Sequence, residues 1–239
     1  MIGVNFVGKY YTLMDPAETA GVVPQAHWNN ATGGNSSLSS LKDFVGAAPG
    51  VSVTWSGNIG YTAIDDTAGN NRLMRGYLTV LGATDPPTAT FSGLAAAFPL
   101  GYDVIVYFDG SNDKRIQGVP DVAWVMGLEV VGVTRTMTRT VCDPANTNFS
   151  GIYFEDTGAG GNWVRFHGLS DDVLTVTATP HDGTKAALNA IQVIHVPEPA
   201  TAGLVAAGLA AVLWRRRRRL RKTAWAADAW ASGERAARP

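Results

Sequence analysis

The side chains able to do chemistry in this chain are few and scattered. Its four histidines, His27, His167, His181 and His195, have no spacing that would set two on one helix face, and the sequence contains no G-x-S-x-G, phosphate-loop or H-E-x-x-H pattern. Gly158-x-Gly160-Gly161 lacks the strand-to-helix setting and third glycine of a nucleotide loop and reads as a hairpin connection. Three carboxylate pairs, Asp65-Asp66, Glu155-Asp156 and Asp171-Asp172, raise glycoside hydrolysis, which needs two carboxyl groups about 5 to 9.5 Å apart. Adjacent residues on a strand point to opposite faces, so no pair supplies both groups by itself, and all three lie in turn-like contexts. No catalytic residue is assigned, and the expectation is a protein that is not an enzyme.

Two binding chemistries are better represented. DGSNDK, following an apolar strand, offers oxygens from Asp109, Ser111, Asn112 and Asp113 around a turn, the hard-ligand set that a structural calcium ion requires. The same residues are ordinary turn formers, and no other cofactor is indicated. Of seven tryptophans, four fall before residue 196: Trp55 and Trp124 sit on apolar strand faces and read as core. Trp28 with Asn29 and Asn30, and Trp163 with Asn162, read as exposed loop ends where a ring could stack on a sugar while amides bond its hydroxyls.

The elements that must position these residues are strands. Charged residues make up 16% of the chain, against roughly 25% in ordinary globular proteins, which favours strands and tight turns. Alternation of apolar and polar residues marks Val51–Trp55, Val122–Val130 and Val173–Ala178; further strands are expected at Ile2–Val7, Thr88–Phe91, Tyr102–Phe108, Thr134–Val141, Gly151–Phe154, Asn162–Phe166 and Leu188–Ile194. Only Leu38–Val45 hints at a turn or two of helix. So many short strands must curl, close or split to cover their apolar face, and the fold class expected is all-β, a jelly-roll-like two-sheet sandwich over residues 1–195. Phe-x-Gly-Leu occurs twice just before a strand, in TATFSGL and VRFHGLSDD, as if two connections were related.

The ending is unlike the rest. Residues 1–199 hold 10 basic and 18 acidic residues, a net charge of −8, whereas residues 200–239 hold 9 and 2, a net +7. An acidic body does not suggest a nucleic-acid partner. With Cys142 as its only cysteine, the chain has no intramolecular disulfide and no cysteine-based zinc site. Ala200–Trp214 is free of charge and as a helix would span about 22 Å, short of the ~30 Å hydrocarbon core but workable with snorkelling arginines. Arg215, Arg216, Arg217, Arg218 and Arg219 then place their own side in the cytoplasm, so the expected partner is a membrane, with residues 215–239 as a basic cytoplasmic tail. Pro197-Glu198-Pro199 is neither helix nor central strand, because each proline lacks a donor and restricts its predecessor, so residues 196–199 read as an extended tripeptide at the membrane.

Pro-Glu-Pro, a short apolar helix and an arginine cluster, in that order over Val196–Arg219, resemble the PEP-CTERM sorting signal of bacterial envelope proteins. The resemblance implies export, transient anchoring, recognition of Pro197, Glu198 and Pro199 by an exosortase-like processing enzyme, and delivery to the surface or an extracellular polysaccharide matrix. Residues 1–195, with GVNFVG, NRLMRGYL, YDVIVYFDG and ALNAIQVI, resemble more loosely the ectodomains that accompany this signal, similar to galactose-binding or carbohydrate-binding sandwiches. The function expected is a non-enzymatic exported envelope or matrix protein; the alternative is a surface-displayed carbohydrate-binding module. Residues 1–199 would have to cross the membrane, yet Met1 is followed by a strand-like IGVNFVG with no secretory leader pattern, so the true start is expected upstream. Residues 220–239 extend past the point where such signals usually stop.

Overall fold

The computed structural model of the protein describes residues 1–8, 12–80, 85–111, 123–145, 148–181 and 185–196. The tripeptide Pro197–Pro199, the apolar stretch Ala200–Trp214, Arg215–Arg219 and the tail lie outside the described residues, as do Asn112 and Asp113. Met1–Val196 is a compact unit.

In chain order the strands of the first half are β1 (Ile2–Val7), β2 (Asn29–Thr32), β3 (Ser36–Leu38), β4 (Ser52–Ser56), β5 (Asn58–Tyr61), β6 (Gly76–Thr79) and β7 (Thr88–Ser92). Those of the second are β8 (Tyr102–Tyr107), β9 (Trp124–Gly132), β10 (Thr136–Asp143), β11 (Trp163–Leu169), β12 (Val173–Pro180) and β13 (Ala190–His195). Two short helices, α1 (Asn70–Arg75) and α2 (Leu94–Ala97), interrupt them. A five-stranded sheet runs β11-β8-β13-β1-β2, a six-stranded sheet runs β10-β9-β12-β7-β4-β3, and β5 and β6 make a separate ribbon. The pairs are antiparallel except β1 with β2.

The protein is therefore mostly β, and its two large sheets share one core. Phe6, Val104, Val106 and Val193 of the first sheet bury against Trp55, Phe91, Leu128 and Val176 of the second. Phe6 and Trp55 meet edge to face with ring centroids 6.3 Å apart.

The outer faces of the two sheets differ. β1 and β8 are buried at every position, because segments after β1, around α1 and around Phe149 fold over the first sheet and form a second apolar cluster of Trp28, Leu73, Met74, Ile105, Tyr107 and Phe149. This explains their near-continuous apolar runs. The six-stranded sheet keeps strict alternation, as in β9, where Trp124, Met126, Leu128 and Val130 face in and the residues between them do not.

Two expected elements differ. Gly151–Phe154 is not a strand: the Asn162 side chain accepts from Phe154 N–H (2.9 Å) and donates to Ile152 C=O (3.1 Å), so an amide replaces a ladder, and Ile152 and Phe154 are exposed. Leu38–Val45 contains no helix, because Asp43 Oδ1 accepts from Val45 and Ala47 N–H and closes a turn instead. The repeated Phe-x-Gly-Leu does mark a shared geometry: Phe91 and Phe166 are fully buried, Gly93 and Gly168 have φ of 85° and 68°, and Leu94 and Leu169 return to the core.

Candidate functional site

The residues expected to contact a sugar are fasteners of the fold. Trp28 is 4% exposed, a correction to its reading as a loop-surface ring. His27, at φ 55°, turns the chain, and the indole lies against Gly3 of β1, where a Cβ would come within 2.6 Å of the ring. Trp28 Nε1 donates to Ala20 C=O (3.3 Å) and Gln25 C=O (3.1 Å), and the ring meets Tyr107 edge to face at 6.2 Å. Asn29 donates to Gly3 C=O and Lys42 C=O (both 2.8 Å) and accepts from Lys42 N–H (2.7 Å). Asn30 accepts from Asn5 Nδ2 and Met14 N–H and donates to Met14 C=O. Asn162 is engaged as described, and Trp163 is half-buried against the second cluster rather than free.

The acidic loop after β8 is also turned inward. Asp109 is 2% exposed; burial pushes its carboxyl up to about 8, although Phe149 N–H donates to Oδ2 at 3.2 Å. Asn189 clamps the same residue, accepting from Asp109 N–H (2.6 Å) while Nδ2 donates to Asp109 C=O (3.0 Å) and Met74 C=O (2.7 Å). Ser111 is buried, with its N–H 3.4 Å from Tyr77 Oη. Asp109 and Ser111 of the DGSNDK loop are thus both turned inward, Asn112 and Asp113 lie outside the described residues, and no group of three or more acidic, His or Cys ligands gathers among the described ones.

The carboxylate pairs are separated in the same way. Asp66 binds Thr12 Oγ1 (2.7 Å), Arg72 (3.0 Å) and Arg75 (2.9 Å); Arg72 also pairs with Glu18. Asp156 accepts from Cys142 and Gly158 N–H (both 2.7 Å), Asp171 from Thr134 N–H (3.0 Å) and Oγ1 (2.8 Å), and Asp172 from Ala95 N–H (3.1 Å). These are turn and helix-entry contacts.

Two features remain on the surface. The first is a cleft of about 290 Å³ on the outer face of the six-stranded sheet, lined by Gly127, Glu129, Thr138, Arg139, Thr140, Thr179 and His181. Gly127 pairs with Thr140 on one side and Thr179 on the other, and a Cβ there would come within 3.0 Å of His181 Nε2. Only the glycine in the middle of an alternating strand pattern could have signalled this from sequence.

The second is the point where the chain leaves the domain. β13 lies between β8 and β1, five of its six residues are buried, and its last residue, His195, packs its ring on Phe98 with centroids 4.6 Å apart. The stretch that follows this anchored strand decides the assignment. Residues 195–218 match the PEP-CTERM protein-sorting motif. The motif implies an exported, envelope-sorted protein processed by an exosortase-type enzyme. The match covers the ending and leaves the sandwich outside it. No curated protein matches the chain. Among the described residues no helix is long and apolar enough to cross a membrane.

Proposed function

We propose that this chain is a non-enzymatic protein of the cell envelope or extracellular matrix: a jelly-roll-like sandwich carried to the surface, held transiently by a membrane helix at Ala200–Trp214, and processed at Pro197-Glu198-Pro199. The observation that carries the reading is the sorting motif beginning on the final residue of β13. A processing enzyme needs its substrate segment clear of the fold, and a buried, doubly paired last strand provides a fixed boundary between the two. The mostly antiparallel pairing within two facing sheets supports the jelly-roll-like assignment. The non-enzymatic part draws support from the carboxylates, since Asp66, Asp156, Asp171 and Asp172 are each committed to local contacts.

The test is localisation in the native host of the full chain and of a chain ending at Val196. The reading expects the full chain in the envelope or medium as a processed product and the shortened chain lost from that route. Identical distribution and identical processing of the two would overturn it.

A further inference from the structure

The end of the sandwich from which the chain departs carries two turns of unusual composition. Residues 44–50, before β4, read FVGAAPG, and residues 93–101, between β7 and β8, read GLAAAFPLG; neither contains a charged or polar side chain. Turn tips ordinarily hold Gly, Pro, Asn, Asp or Ser. Here Val45 and Leu100, each 63% exposed, and Phe44 stand out into solvent. The local bonding holds them there: Asp43 Oδ1 accepts from Val45 and Ala47 N–H, and Gly101 N–H donates to Phe98 C=O (2.9 Å). A Cβ on Gly93 would come within 2.7 Å of Gly50 C=O, so the two turns touch. Their exposed side chains, Ala48 and Ala95 included, make one uncharged surface, and Val133 stands exposed on the β9–β10 turn at the same end.

The chain leaves between these two turns. Phe44 N–H donates to Met1 C=O (3.1 Å), and Ile2, the next residue, pairs with Val193 of β13. On the other side His195 pairs with Tyr102 and lays its ring on Phe98, two residues before Leu100. At the far end, where β1 and β8 finish, the connections are charged, TAIDDTAGN after β5 and DGSNDK after β8. Ile152, beside Asn162, is exposed at that far end.

We infer that the exit end of the sandwich rests on a lipid surface, with Phe44, Val45 and Leu100 entering the headgroup region. The inference deepens the membrane-anchor reading and rests on it for the tether. Extended chain covers at most about 3.6 Å per residue, so the uncharged run from Ala200 begins within roughly 14 Å of Val196. So short a tether holds the two surfaces at an effective concentration in the millimolar range, at which a few apolar side chains suffice for contact. The contact is apolar rather than electrostatic, because residues 1–199 carry a net charge of −8 and an anionic leaflet repels them.

The test is full-length protein reconstituted into vesicles of phosphatidylcholine and phosphatidylglycerol that include lipids with a nitroxide headgroup. A fluorophore is placed on Leu100→Cys, Val45→Cys or Ile152→Cys, each in a Cys142→Ser background, and flotation reports whether the chain is anchored. The expected result is several-fold stronger quenching at 45 and 100 than at 152, unchanged in high salt. Phe44→Ser with Val45→Ser, both at exposed positions and folded by circular dichroism, lowers the quenching at 100 to the level at 152. Equal quenching at the three positions in a chain that floats with the vesicles overturns the inference and leaves the anchor standing; a chain that does not float overturns both. Concentration-dependent dimers that shield the probe at 100 without vesicles assign this surface to a second copy and overturn the lipid assignment.

Discussion

Ile2 pairs with Val193 across the antiparallel contact of β1 and β13, so the chain leaves the sandwich beside its first strand. The sorting motif starts two residues later, at His195. The strand that delivers the motif is therefore locked on both sides, by β1 and by β8, before the first proline is reached.

That locking depends on Asn189, immediately before β13. Its side chain holds Asp109 and Met74 through three buried hydrogen bonds, and Asn189→Leu would remove the side-chain partner of Asp109 N–H and Met74 C=O, while Asp109 C=O keeps Thr62 Oγ1. The expected loss is about 3 kcal/mol, since each unsatisfied buried group costs roughly 1 to 3 kcal/mol. Denaturant unfolding measures it; a change below about 0.5 kcal/mol, the scale of an ordinary surface substitution, would contradict the assignment.

Trp28→Ala should behave as a core truncation, costing about 3 to 5 kcal/mol. Its unfolding midpoint in denaturant falls accordingly. A midpoint unchanged by Trp28→Ala would return Trp28 to the exposed, sugar-contact role read from sequence.

Two aspartates give opposite pH dependences. Burial pushes Asp109 up to about 8, so the folded state holds a proton that the unfolded state releases near pH 4. Its contribution is complete below about pH 4 and is lost progressively as pH rises to about 8. Asp103 is the reverse. Burial opposes its ionisation, but Gly168 N–H, Arg165 and His167 outweigh it and hold the carboxyl below the usual range. Its contribution is present above an unfolded value of about 4 and is lost as pH falls through the folded one. Unfolding free energy measured from pH 4 to 9 should therefore decline less steeply for Asp109→Asn than for the native sequence. Equal slopes would show that Asp109 is ionised in the folded protein throughout.

Much of this fold was legible where a strand has one apolar and one polar side. Val51–Trp55, Thr88–Phe91 and Val173–Ala178 fall on or within two residues of β4, β7 and β12, because a period of two survives wherever one face meets solvent. β2, β5 and β6, by contrast, carry Asn, Gly and Tyr, and their pairing is set by neighbours distant in sequence. Trp28 was misread for a related reason. Its setting of asparagines and glycines is that of an exposed loop, but those asparagines bond backbone and Gly3 makes room for the ring. The ending was the most legible part, since proline, an uncharged run and consecutive arginines act through composition and order rather than through tertiary contacts.

The most direct measurement is the intact mass of the mature chain recovered from fractionated native cells, for the native sequence and for Glu198→Ala. The account predicts a surface or secreted native product that has lost Arg215–Arg219, with Glu198→Ala retained in the membrane at its unprocessed mass. A native chain that keeps its arginines in every fraction, at a mass altered by Glu198→Ala only through the substituted side chain, would contradict it.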